Sequence, residues 1–305
     1  MSRGIYLLAN DKVLDNVITL LNSIRHHDKI TPISIIPYDD NYQELQSYIQ
    51  EFSAVDIYEN FDFLKSLMEI INQAWHDFPK DHRINMLKKF GCWFGPFDEF
   101  LYIDTDIVVF NQIVTLLDTM KGYEFLSYDY QRKTGIKDIF KQEILEENLI
   151  THDQVDLVFN AGFFGSRRDA LSEATIFSLI HETRKHANCF IWDYYDQGIL
   201  NYWVICQNIQ QINYTKTGEK IAGNWAGSDY RVEDYQLFNQ ETGNPVLYLH
   251  WAGHKIFPGC RYWDVWNYYR HLNSAIPPYI PPQDGNSTFW QSFKRSLKNL
   301  LTERA

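Results

Sequence analysis

Short apolar runs alternate with stretches of helical period along the first third of the chain. That alternation restricts the fold more than any other feature. Gly4–Ala9 reads as a buried strand. Asn10 and Asp11 suit a turn or helix cap, and Val13, Leu14, Val17, Ile18, Leu21 and Ile24 then recur at helical spacing. Pro32–Pro37 is a second buried strand, Tyr42–Phe52 a helix and Val55–Tyr58 a third strand. Phe61–Phe78 and His82–Trp93 carry helical patterns, and Phe100–Ile103 is again a short buried strand. Strand and helix in turn predict an α/β domain, with a mostly parallel, Rossmann-like central sheet flanked by helices.

The middle of the chain is less regular. Lys133–Asp153 is polar and reads as an insertion carrying a short helix. Val155–Gly165 suggests a strand or strand pair, Asp169–Lys185 and Asp196–Val204 helices, and Val246–Trp251 another strand. Pro277, Pro278, Pro281 and Pro282 mark a stiff linker. Beyond it Phe289, Trp290, Phe293, Leu297, Leu300 and Leu301 share one helical face, and Lys294, Arg295, Lys298 and Arg304 stand against Glu303. The expected division is one domain over residues 1–276, then a linker and amphipathic basic helix over 277–305. Such a helix packs on its own domain, on a partner subunit as in a homodimer, or on an anionic membrane face. Packing on protein is the favoured expectation, because any surface helix is amphipathic.

Composition removes several function classes. With 28 basic and 39 acidic residues the net charge is −11, against the basic footprint that a nucleic-acid binder needs. Cys92, Cys189, Cys206 and Cys260 are far apart with no CxxC pair, which excludes a zinc ribbon and a disulfide scaffold. Free thiols and an N-terminal apolar run confined to Ile5–Ala9 lead to the expectation of a cytoplasmic protein.

The sharpest local feature is Phe100-Leu-Tyr-Ile-Asp104-Thr105-Asp106. Two carboxylates at i and i+2 at the end of a buried strand reach the same crevice, and ligands of open α/β sheets bind at that edge. Carboxylate oxygens suit Mg²⁺ or Mn²⁺, which in turn bind diphosphate oxygens. A DxD alone is equally a pair of solvated turn residues. The apolar run Ile107–Phe110 that follows places these acids near the core, where they need a reason to be.

An ordered series of such motifs over residues 4–255 resembles the retaining glycosyltransferases of family 8, the group of glycogenin and the lipopolysaccharide galactosyltransferases, with a GT-A fold. Leu7-Leu-Ala9-Asn10-Asp11 is similar to the first strand and the turn that holds the nucleotide base. Met86-Leu-Lys88-Lys89-Phe-Gly-Cys-Trp93 resembles the helix that carries a basic residue toward the donor phosphates. Only one of the two lysines can face the cleft, and Lys89 has the better spacing. Tyr102-Ile-Asp104-Thr105-Asp106 resembles the metal motif, and Phe159-Asn160-Ala161-Gly162 the segment contacting the sugar. Asp196-Gln197-Gly-Ile-Leu-Asn201 resembles the family's DQ motif. In Leu249-His250-Trp-Ala-Gly253 the histidine would complete the metal site.

The resemblance implies a hexose moved from a nucleoside diphosphate sugar, UDP-glucose or UDP-galactose in the first instance, to a glycan, lipid-linked or protein hydroxyl. Asp104, Asp106 and His250 would hold the ion. Two carboxylates and one imidazole favour Mn²⁺ slightly over Mg²⁺. Asp196, Gln197, Asn160 and Asp129 are the candidate catalytic and sugar-positioning residues. Each has a plainer reading as a cap or a satisfied core polar group, and for Asp196 both readings can hold at once. The chain departs from the family after Gly253. His254-Lys255-Ile-Phe-Pro258 stands where a lysine-proline-tryptophan run is usual, so Lys255 falls one residue early. That departure motivates the alternative of a catalytically degenerate protein that binds a sugar nucleotide or glycan without turnover.

Overall fold

The computed structural model of the protein describes residues 1–77, 82–128, 139–214 and 224–274. The first third lays down β1 (Arg3–Ala9), α1 (Leu14–His27), β2 (Ile33–Pro37), α2 (Gln43–Tyr48), β3 (Val55–Ile57), α3 (Phe61–Ala74) and β4 (Glu99–Ile103). Then come β5 (Ile107–Val109), β6 (Phe125–Ser127), α4 (Glu143–Glu146), β7 (Phe163–Arg167), α5 (Glu173–Lys185) and α6 (Tyr195–Cys206). The last are β8 (Gln211–Asn213), β9 (Tyr230–Glu233), β10 (Gln236–Asn239), β11 (Tyr248–His250) and α7 (Trp263–His271).

Seven strands form the central sheet in the order β3-β2-β1-β4-β7-β6-β8. The pairs β2–β3, β1–β2, β1–β4 and β6–β8 are parallel, and β7 alone runs the other way, between β4 and β6. The mostly parallel sheet expected from the alternation is therefore present. Its strands read as continuous apolar runs because both faces are covered. Ile5, Leu7 and Ala9 of β1, with Leu101 and Ile103 of β4, pack beneath α1 against Val17, Leu20, Leu21 and Ile24. Tyr6, Phe100 and Tyr102 point to the opposite face, under α3, α5 and α6. A third cluster joins Val108 of β5 and Leu249 of β11 to Val265 and Trp266 of α7.

One expectation is sharpened and one needs correction. The helix expected over His82–Trp93 is present, as a 3-10 helix over His82–Phe94. Ile84, Leu87, Phe90 and Trp93 are all buried and stand three residues apart, a stripe that lies straight at 3.0 residues per turn but drifts at 3.6. Val155–Gly165 is not a continuous strand. Asp153–Leu157 forms a 3-10 turn, and the strand begins only at Phe163. Side chains from α6 claim the intervening backbone: Asn201 accepts from the Phe159 amide at 2.8 Å and donates to its carbonyl at 2.8 Å, and Gln197 accepts from the Ala161 amide at 3.3 Å. Those bonds take backbone groups of Phe159 and Ala161 that a strand ladder would otherwise use.

The short helix of the 133–153 insertion is present as α4. Residues 133–138, Asp129, and the proposed linker and basic helix of 277–305 lie outside the described residues. Among the described residues no helix is long and apolar enough to cross a membrane.

The topology fixes where a site can form. β1 and β4 end at the same edge, and antiparallel β7 begins there, with Ile103 opposite Phe163. Chain leaving β4 therefore meets chain entering β7.

Candidate active site

Asp104, Thr105 and Asp106 make the turn between β4 and β5, all partly exposed. The Asp104 amide donates to the Gly162 carbonyl at 2.8 Å, tying the turn to the start of β7. β5 then pairs with β11 in antiparallel register, His250 opposite Ile107. This pairing brings His250 Nε2 to 3.2 Å from Asp106 Oδ1. Asp104, Asp106 and His250 each offer a ligand atom, and those atoms lie within 4.8 Å of one another.

The surroundings fit a cation. Three carboxylates, Asp104, Asp106 and Asp196, meet here with Lys89 and His250 as the opposing groups. A Cβ built on Gly162 would run into His250 Cε1 and stand 2.6 Å from Asp104 Oδ2, so a side chain there would fill the cradle between two of the candidate ligands. A divalent ion held by Asp104, Asp106 and His250 would relieve the surplus of negative charge.

The charges pull on one another in a readable way. Burial and the neighbouring Asp106 push the Asp104 carboxyl upward, against the pull of Lys89. Burial acts the same way at Asp106, but His250 outweighs it and holds that carboxyl below the usual carboxylate range. Burial disfavours a charged imidazole at His250, yet Asp106 more than compensates and raises it. The Tyr102 hydroxyl donates to Asp104 Oδ1 at 2.7 Å, which fixes one carboxylate oxygen and leaves the other toward Gly162.

Lys88 and Lys89 part company, as neighbours 120° apart on a 3-10 helix must. Lys88 donates to the Tyr38 carbonyl at 3.0 Å, near Asp39 and Asp40, and its burial lowers its affinity for a proton. Lys89 is 0% exposed. It forms an ion pair with Asp196, lies 3.7 Å from Asp104, donates to the Ala161 carbonyl at 3.3 Å and sits 4.5 Å above the Tyr102 ring. Burial works against its charge, but the two carboxylates win and its pKa rises. Lys89 thus joins the DxD turn, the Asn160–Gly162 segment and the DQ helix through one ammonium group. Within that segment Asn160 Oδ1 accepts from the Gly162 amide at 2.8 Å.

The first motif is placed beside the same edge. Ala9 closes β1, and its carbonyl accepts from Tyr38 at 2.8 Å. Asn10 caps the following turn and donates to Asp39 at 2.8 Å. Asp11 accepts from the amides of Leu45 at 2.8 Å and Glu44 at 3.3 Å, so it caps α2, whose own N-cap Tyr42 has no side chain able to do so. Gly253 is exposed with φ +73°, the left-handed region that glycine enters without strain, and Lys255 is exposed just beyond.

Two contributors carried no role in the sequence reading. Tyr102 stands two residues before Asp104, and i and i+2 of a strand share a face, so the spacing held the signal. Asn201 stands four residues after Gln197 on one helix face, from which both reach Phe159–Ala161.

The chain was compared with known proteins. Among curated proteins, none matches it in sequence. In structure it is similar to the WbbM bifunctional glycosyltransferase, with a TM-score of 0.60, 15% identity and 96% of this chain covered. The chain spans about half of WbbM, 51% of its length. It is also similar to the galactosyltransferase LgtC in complex with donor and acceptor sugar analogues, with a TM-score of 0.58 and 15% identity over 90% of this chain and 97% of that one. At such identities these likenesses show the GT-A fold alone. The sequence pattern of the glycosyl transferase family 8 matches residues 5–254. That span contains every motif from the β1 turn to the His250 segment, and the chain therefore belongs to glycosyl transferase family 8 and is a glycosyltransferase.

Proposed function

We propose that the protein is a metal-dependent, retaining hexosyltransferase. It would take the sugar from a nucleoside diphosphate donor, UDP-glucose or UDP-galactose first among candidates, and pass it to a hydroxyl on a glycan, lipid-linked or protein acceptor. The observation that carries this reading is the convergence of Asp104, Asp106 and His250 at the carboxyl edge of β4, with Gly162 against them. Mn²⁺, or Mg²⁺ in its place, bound by these three would supply positive charge where the leaving diphosphate gathers negative charge. The residues of the chain do the rest. Lys89 adds a fixed ammonium beside that charge and holds Asp196 in one orientation. Asp196 and Gln197 face the sugar, and Asn160 with the 160–162 backbone shapes its seat. Asp129 is assigned to the same sugar or acceptor contact from the sequence. Ala9, Asn10 and Asp11 edge the base site. Thr105, Gly253 and Lys255 line the approach of the diphosphate, whereas Lys88, expected from the sequence to share in it, is turned away to the Tyr38 carbonyl.

The test is the double substitution Asp104→Asn with Asp106→Asn, assayed for UDP-sugar hydrolysis and transfer with Mn²⁺ titrated. Activity should fall by at least ~10²-fold. Undiminished Mn²⁺-dependent turnover would reject the metal assignment. Thermal-shift screening against UDP-, GDP- and ADP-sugars, with and without Mn²⁺, fixes the donor. The displaced Lys255 favours one further reading, a protein that binds the donor without turnover. Calorimetric binding of a donor with no hydrolysis over long incubation would select it.

A further inference from the structure

An aromatic pair stands beside the metal-site histidine and has no part in the chemistry above. Residues 224–226 run along the free side of β11: the His250 amide donates to the Asn224 carbonyl at 2.7 Å, and the Ala226 amide to the His250 carbonyl at 2.9 Å. Trp225 pairs with His250 in parallel register. Residues opposite each other in such a pair project to the same face, so the Trp225 indole leaves the backbone on the side of the His250 imidazole.

The indole is anchored to the 252–254 turn. Its N–H donates to the Ala252 carbonyl at 3.0 Å, and the His254 ring lies 5.2 Å away at 43°. Gly227 leaves it room, since a Cβ there would run into the six-membered ring. Trp75, Trp93, Trp203 and Trp251 are each no more than 1% exposed, whereas Trp225 is partly exposed and His254 is exposed. With its N–H engaged by the Ala252 carbonyl, what the partly exposed Trp225 brings to this place is an aromatic ring and not a hydrogen-bond donor. The negative face of an aromatic ring attracts electropositive C–H groups, and a pyranose presents such groups on one side of its ring.

We propose that Trp225 and His254 form an acceptor subsite that stacks on the C–H face of a sugar ring beside the Asp104–Asp106–His250 cluster. The proposal rests on the glycosyltransferase reading and narrows its acceptor to a glycan. Saturation-transfer NMR on the full chain in Mg²⁺ (Mn²⁺ would broaden the lines), with methyl β-galactoside, methyl β-glucoside and uridine as probes, tests it. At least one glycoside should receive saturation at its ring C–H protons. That signal should fall about tenfold in Trp225→Ala and about threefold in His254→Ala, and largely persist in Trp225→Phe. His254 is exposed, so its substitution reads the subsite even where Trp225→Ala unfolds. No glycoside signal in the wild type, an undiminished signal in both alanine variants, or a Trp225-dependent uridine signal in place of the glycoside one overturns the subsite. Hydrolysis of UDP-glucose and UDP-galactose by the same wild-type preparation separates the two failures. Hydrolysis without a glycoside signal defeats the subsite alone, and a glycoside signal without hydrolysis defeats the catalytic reading alone.

Discussion

Replacing Lys89 by methionine should unfold the protein at a markedly lower temperature, and the structure sets the size of the effect. Methionine keeps the length and most of the volume of the side chain, so little cavity opens. What is lost is the ammonium. Asp196 is 5% exposed and would stay buried without its partner, a situation that costs about 3–5 kcal/mol. Asp104 adds little: its side chain is 31% exposed and 3.7 Å away, so solvent screens it to below about 1 kcal/mol. For a chain of this size the sum corresponds to a fall in Tm of roughly 6–10 °C. Scanning calorimetry at pH 7 in EDTA measures it without contribution from bound metal. The double variant Lys89→Met with Asp196→Asn removes both charges and should recover more than half of the loss, because the penalty is that of an unpaired charge and not of an absent contact. A Lys89→Met protein melting within 2 °C of wild type, on the order of 1 kcal/mol, would refute the dependence of Asp196 on Lys89.

Further predictions address the neighbouring features. Gly162→Ala places a methyl group against His250 and Asp104, and overpacking of about 1–3 kcal/mol should weaken Mn²⁺ binding roughly 10–100-fold by electron paramagnetic resonance; an unchanged Kd would separate Gly162 from the cation site. Asp28 is buried, which would raise its carboxyl, but the Thr31 hydroxyl and the amides of Thr31 and Ile30 hold it below its usual value. Its stabilisation is therefore present above the unfolded carboxylate pKa and lost as pH falls through the lowered folded one, so Asp28→Asn should flatten the acid limb of a Tm-against-pH curve. Asp11→Ala should cost about 1 kcal/mol and speed hydrogen exchange at the Glu44 and Leu45 amides with no nucleotide present; unaltered exchange would show that Asp11 does not cap α2.

The strands and the first helices were legible because each reports its own burial. Ile5, Leu7 and Ala9 face one core and Tyr6 the other, and a run buried on both sides is visible in seven residues. The Asp104–Asp106–His250 cluster was legible only through the ordered motifs, since nothing local to His250 says that β11 pairs with β5. Phe159–Gly162 was misread as strand because its backbone partners come from Gln197 and Asn201, on a helix some forty residues on, and hydrophobic period carries no information about them. The His82–Phe94 helix held its 3-10 character in the spacing of Ile84, Leu87, Phe90 and Trp93. Lys89 was singled out as the cleft-facing cation, but its ion pair with Asp196 depends on α6 packing against the 3-10 helix, a tertiary fact.

The pairing of β11 with β5 also orders events in time. Asp104 and Asp106 are synthesised before His250, and residues 107 through 249 intervene. At roughly 5–20 residues per second, the imidazole follows the carboxylates by about seven seconds to half a minute. Contacts so distant along the chain are slow to close. Until β11 docks, the nascent polypeptide holds two acids that lack their third companion. The cluster can thus be completed only after β11 has been made and paired with β5, and a chain stopped short of Tyr248 would carry both acids of the DxD turn without the imidazole that meets them.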